Sequence, residues 1–466
     1  MESDTDKIVD VSVKSRVRKV PLAFDGLARL TLGLLLAAAA PGVCAAVHYV
    51  DTAATRPTPP YGSWDVAATN IQDAIDVARP GDQIVVTNGI YATGGRLAED
   101  GTNRVVIDKS VNVWSVNGPA VTVIEGAPSA ESTFFGLGDG AIRCAYVGYG
   151  ALLSGFTLTN GHTRIGGNGG GALCAPSAIL TDCVVINNRS GDPDNDSEGG
   201  GVYRGTLYRC RLLGNVSHGE GGGAAFSTLY DCVIAGNNSG DGGGGVSAGT
   251  LYNCLLSSNR SEFVGGGAFG ATLNNCTVVG NSANRAGGVY SGALTNCIVY
   301  YNNTDTVGAN YLDDSADLTF TCTFPLPARG TGNITNEPAF VDFASGNYHL
   351  RQDSPCIDVG LFLTPILTAD LNGNPRPLDG NGDGLPYFDL GAYEHRFEII
   401  ERPAIRSVAL ARNRLVLSWE GAPGLRLQGA AAIANAPWTD VPGSEGQSSF
   451  EFLLTDEDGF FRLVAP

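Results

Sequence analysis

Lysine is almost missing from this chain. Lys7, Lys14, Lys19 and Lys109 are all there are, so beyond the N-terminal tail positive charge rests on arginine. Basic residues as a class are short: 29 Lys and Arg stand against 47 Asp and Glu, a formal net charge of −18. An overall field of that sign excludes binding to nucleic acid or to an anionic membrane by bulk charge. Long apolar runs are lacking too. After residues 30–40 no stretch is apolar enough to cross a bilayer. The 64 glycines follow no collagen-like three-residue period. Scattered in this way, they point to tight turns repeated many times.

The N-terminus reads as an export signal. Lys14, Arg16, Arg18, Lys19 and Arg29 precede the apolar run at 30–40, and Val43-Cys44-Ala45 fits a small-x-small cleavage pattern. Competing readings are a membrane anchor, for which the run is short, and a lipid-modified Cys44, for which Val43 is large. Residues 1–45 are taken as a cleaved signal and the mature chain as secreted or outer-surface.

Cysteine reveals the organisation. Cys183, Cys210, Cys232, Cys254, Cys276 and Cys297 are spaced 27, 22, 22, 22 and 21 residues apart. Leu180, Leu207, Leu229, Leu251, Leu273 and Leu294 stand three before them, and Asn188, Asn215, Asn237, Asn259, Asn281 and Asn302 five after. Glycine clusters precede each unit, as at 199–201, 221–223, 242–245 and 265–267. A fixed period near 22 means one small unit stacked many times. Segments such as Leu229-Tyr230-Asp231-Cys232-Val233-Ile234 are short, apolar and alternating, and therefore strands. A leucine-rich repeat would need more regular leucines and a helical segment that glycine triplets discourage. The period implies an all-β, right-handed single-stranded parallel β-helix of eleven to twelve coils between about residues 84 and 340.

Stacking would place equivalent residues on top of one another. The Leu and Cys columns then point inward, with cysteine as a small hydrophobe. Thiols one rung apart sit about 4.8 Å from each other, too far for the ~3.8 Å Cβ separation of a disulfide. The asparagines would form an inward amide ladder, so sequons such as Asn215-Val216-Ser217 could not carry glycans. Upstream, Ile71, Ala74, Ile75 and Ala78 lie on one helical face. That amphipathic helix would cover the open bottom of the stack.

The cap sequence IQDAIDVARPGDQIVVTNGIY, followed by coils, resembles pectate-lyase-like right-handed β-helix proteins. The GGGxF and CxVxxN units are similar to repeats of bacterial polymorphic outer-membrane proteins and adhesins. The stretch from Cys322 to Glu394, with SPCIDVG at 354–360 and DLGAYE at 389–394, resembles a choice-of-anchor Q region. The resemblance implies a β-helix with its cap over 46–340 and a choice-of-anchor Q-like C-terminal cap over 341–398. Cys322 and Cys356 flank that region and are expected to pair as a disulfide in an exported protein. Residues 404–466 alternate in short runs, as in Arg414 to Trp419, and read as a small fibronectin-like β-sandwich. The hydrophobic span and terminal basic residues that would mark a sorting anchor are not read in them.

Chemistry is sparser. Asp379, Asn381 and Asp383 alternate with glycine, and Asp389 follows at position 11, a pattern resembling a short Ca²⁺ loop. The competing reading is a metal-free Gly/Asp turn. Glu198, Glu220, Asp241 and Glu262 precede glycine clusters at spacings of 22, 21 and 21. Stacked, they would form an outward acidic column, either a solvated edge or a cation-assisted binding face, with Asp192, Asp194 and Asp196 near its top. A lyase would need a base, and Lys109, Arg189, Arg204, His218 and Arg260 offer themselves without one standing out. Gly161-His162-Thr163-Arg164-Ile165 faintly echoes polygalacturonase motifs at the wrong spacing. The expectation is a monomeric secreted or cell-surface scaffold, adhesin-like or glycan-contacting, whose partner is an extracellular polysaccharide or cell-surface component. The alternative is a calcium-assisted polysaccharide lyase.

Overall fold

A computed structural model describes residues 45–466 apart from 133–134, 192–196, 313–315, 364–366, 398–404, 412–413, 420–425, 431–436, 454–459 and 465–466. The signal segment and Asp192, Asp194 and Asp196 lie outside the described residues. Contacts divide the chain into Met1–Ala45 and Ala46–Pro466.

From residue 47 to 323 the chain winds as a parallel β-helix. The longest column holds eleven parallel strands, in which His48, Ile84, Val113, Leu153, Leu180, Leu207, Leu229, Leu251, Leu273, Leu294 and Leu318 fall in register. Each regular coil contains four short strands, as in Val202–Tyr203, Thr206–Tyr208, Arg211–Leu213 and Val216–Ser217. Alternation sends the middle residue of each three-residue strand inward. Leu207, Leu229 and Leu251 from one wall and Leu212, Ile234 and Leu256 from the next are fully buried in one continuous core.

The repeat's polar signature is turn chemistry. Asp182, Asp231, Asn253, Asn275 and Asn296, each just before a ladder cysteine, have φ of 50–54°. Short side chains that bond locally tolerate this left-handed conformation best. The corner after the fourth strand needs glycine for two reasons. Gly243 has φ of 63°, and a Cβ on Gly244 would stand 2.2 Å from the Arg260 carbonyl oxygen.

Both ladders form as the spacing implies. Asn188, Asn215, Asn237, Asn259 and Asn281 are buried, and each donates from Nδ2 to the Oδ1 of the next at 2.9–3.0 Å. That same Oδ1 also accepts the backbone N–H of the preceding asparagine. Burial closes the sequons to modification. The six ladder cysteines are buried free thiols, and burial pushes Cys183, Cys210, Cys254 and Cys297 well up.

The cap is helix α1, Ile71–Val77, with Asn70 as its N-cap accepting from the Asp73 N–H at 2.9 Å. Ile71, Ala74, Ile75 and Ala78 are buried, as the periodicity predicts. Lys109 Nζ donates to the carbonyls of Ile75, Asp76 and Ala78 at 2.9–3.0 Å. The last lysine thus satisfies the open C-terminus of α1 and is removed from the candidate bases.

The region expected as a C-terminal cap runs back along one flank of the coils. Phe340, Leu350, Cys356, Ile357 and Leu390 pack on the outward residues Leu255, Ile298 and Cys322. Arg376 donates to Asn253 Oδ1 at 2.5 Å and to Glu394 Oε1 at 2.5 Å. Asn296 Nδ2 reaches the Leu361 carbonyl at 2.7 Å. Outward-facing apolar residues on those strands make sense only under such a cover. Toward the end of the chain, Ile405–Ala411, Arg414–Trp419 and Ser449–Leu453 form one antiparallel sheet, and Arg426–Ala430, Thr439–Asp440 and Phe460–Val464 another. Leu417, Trp419 and Leu427 are buried with Phe450 and Phe461 packed against them, as a small sandwich requires.

Candidate functional site

The fourth strand position of the coil carries the most distinctive outer surface. Its outward residues fall in register as Arg189, Val216, Asn238 and Arg260. Beside this column runs a groove of about 350 Å³ lined by Phe135, Arg189, His218, Asp241, Glu262 and Phe263, among others. Phe135 and Phe263 are 60% and 61% exposed. The Arg189 guanidinium lies over the Phe135 ring at 4.9 Å, and His218 stacks on the same ring at 5.5 Å. Burial holds the Arg189 guanidinium below its ordinary value. Such a surface pairs aromatic faces with charged and amide groups on a rigid sheet, the composition of a small-ligand site.

The four acids do not make one column. Glu198 and Glu220 are bridge partners, but that line continues through Gly242 and Val264. Asp241 bonds through its N–H to Gly219, one residue off the line, and Glu262 bonds to Ser239, level with Gly240 and His218. The spacings of 21 are register steps, and in a β-sheet one residue changes the direction of the side chain. Glu220 accepts from Ser247 at 2.6 Å. Asp241 and Glu262 line the groove.

The candidate bases are likewise sorted. Arg189 and His218 share the groove, Arg260 extends its column by three rungs, and Arg204 sits instead over Tyr203 at 4.9 Å. His162 is a bridge partner of Arg189, and burial lowers its pKa. Arg164, from the same short motif, opens onto a separate hollow of about 370 Å³ with Glu99, Asp100 and Asp139. The polygalacturonase-like echo therefore assembles nothing. Phe135 and Phe263 were missed by sequence reasoning: Phe135 lies in a loop outside the repeat, and only the position of Phe263 directly after Glu262 gave any signal.

The Asp379–Gly384 loop is closed by its own backbone N–H groups. Asp379 accepts from the Gly382 and Gly384 N–H groups at 2.7 and 2.8 Å, and Asn381 and Asp383 each accept from the residue two further on. Asp389 points elsewhere: it is wholly buried and accepts from the N–H groups of Asp358 and His395. Burial, reinforced by the Glu394 carboxylate, pushes it up to about 8. Among the described residues no three His, Cys, Asp or Glu side chains gather closely enough to hold a metal. Cys322 and Cys356, expected to pair, stand side by side as buried free thiols within one cluster, and burial together with the Cys322 sulfur pushes Cys356 well up.

No protein-family model matches the chain, and no curated protein is similar to it. Among solved structures it is similar to pectate lyase Pel9A, at 15% identity and a TM-score of 0.44 over 76% of this chain and 98% of that one. A rhamnogalacturonan lyase matches at 13% identity and 0.40, over 66% and 95%. The A-module of the Azotobacter vinelandii mannuronan C-5 epimerase AlgE6 matches at 14% and 0.21, over 57% and 94%. Among the described residues no helix is long and apolar enough to cross a membrane.

Proposed function

We propose that the protein is an exported β-helix scaffold that binds an extracellular glycan along the groove between Phe135 and Phe263. The observation that carries this reading is the pair of exposed phenylalanines at a groove otherwise lined by arginine, histidine, asparagine and carboxylates. Flat aromatic faces suit the C–H faces of sugar rings, and the polar groups between them suit hydroxyls. Loss of the aromatic anchor is the direct test. Phe263→Ala is expected to weaken binding on a glycan array at least tenfold while leaving the melting temperature within a degree or two. Unchanged binding would defeat the proposal.

The second reading is a polysaccharide lyase, favoured by Arg189 and His218 standing together in that groove. A base there would remove the proton next to a uronate carboxylate. Unsaturated uronate product, followed by its ultraviolet absorbance and lost in Arg189→Gln, would establish it. Its absence with binding retained leaves an adhesin-like or glycan-contacting role.

A further inference from the structure

We propose that the groove selects glycans whose acidic sugars are separated by neutral ones, with Arg189 and Arg260 as the two posts that read the spacing. This rests on the glycan reading above. The strand register places the two arginines in one outward column with Val216 and Asn238 between them. Three rungs of about 4.8 Å put them about 14 Å apart. Among the described residues neither guanidinium has an ion-pair partner, so each offers its donors to an anionic group.

Between the posts the column itself carries no guanidinium or ammonium, and His218 is the basic side chain that lines the groove beside it. Val216 and Asn238 are uncharged, and Asp241 and Glu262 line the same groove. A carboxylate held over the two middle rungs would meet neither arginine and would stand near two like charges. A glycan with a carboxylate on every sugar must put some there, whereas one with sparse carboxylates need not. The net charge of −18 works in the same direction by repelling a dense polyanion on approach.

Galacturonan oligosaccharides of one length separate charge spacing from sugar identity. Three preparations are compared by calorimetry with the purified protein, in chelator at low salt: fully acidic, mostly methyl-esterified with isolated free carboxylates, and fully esterified. The sparse preparation is expected to bind several-fold tighter than either of the others. Arg189→Gln and Arg260→Gln should each bring it down toward the neutral one, and Asp241→Asn combined with Glu262→Gln should narrow its advantage over the fully acidic one. Equal or tighter binding of the fully acidic oligomer, or arginine variants without effect, would overturn the inference while leaving glycan binding intact. Binding of none of the three, or indifference of all to Phe263→Ala, would defeat the glycan reading itself and this inference with it.

Discussion

Asn237 holds its place through four side-chain hydrogen bonds at once. Its Nδ2 donates to the Leu212 carbonyl and to Asn259 Oδ1, both at 2.9 Å, and its Oδ1 accepts the Asn215 N–H and Asn215 Nδ2. Replacing it with alanine takes one hydrogen bond each from the Leu212 carbonyl, the Asn215 N–H and the side-chain amides of Asn215 and Asn259 inside the rod. Leaving buried groups unsatisfied costs about 1–3 kcal/mol each, partly relieved by relaxation, so Asn237→Ala is expected to destabilise by about 2–4 kcal/mol in urea unfolding. The adjacent Asn238 faces outward, and Asn238→Ala should cost less than about 0.5 kcal/mol. A similar loss for both would mean that the ladder is not what holds these coils. Lys109 makes the same point in reverse: the charge that looked available for chemistry is spent on three helix carbonyls.

At the scale of elements, the flank segment is held by buried charge. Arg376 and Glu394 form an ion pair with no side-chain exposure, and Asp389 lies beside it with a pKa near 8. An unfolded aspartate titrates near 3.9. The folded state therefore binds this proton more tightly, and its contribution is complete below about pH 4 and lost as pH rises through about 8. The slope from this one group is at most about 1.4 kcal/mol per pH unit. Asp389→Asn should flatten the fall in melting temperature between pH 5 and pH 9. A fall as steep as in the unaltered protein would show that Asp389 is not the group responsible. The Asp379–Gly384 loop closes on its own N–H groups, so chelation is expected to leave the melting temperature unchanged. A drop of several degrees in chelator, restored by Ca²⁺, would contradict this.

Across the whole molecule, stability in a solenoid is shared between neighbouring rungs, and the ends open first. The flank segment clamps rungs from Asn253 to Asn296, leaving the earlier coils less protected. Among the described residues ten buried free thiols report on this directly. None should react with iodoacetamide in native buffer. As denaturant rises, Cys144 and Cys174 are expected to label before Cys254, Cys276 and Cys297, as read by mass spectrometry of digests. Simultaneous labelling would indicate one cooperative unit with no weak end.

What the sequence determined by itself is whatever repeats. A period of 22 residues dictates stacking, and stacking dictates that Leu, Cys and Asn each form a column, because identical units in identical conformations must superpose. Glycine and Asp or Asn at fixed places carry their own backbone requirement, so the corners were legible too. Only the tertiary structure decided what depends on register or on distant chain. Register steps carried Asp241 one residue and Glu262 two residues off the line of Glu198 and Glu220, and in a strand each such step turns a side chain to another face. Phe135 comes to the groove from a loop with no repeat to place it. The return of residues 340–394 along the flank follows from outward apolar residues on coils earlier in the chain, Leu255 and Ile298 among them. Local pattern sets which way a strand faces; which surface then covers it is settled by packing between segments that the sequence keeps far apart.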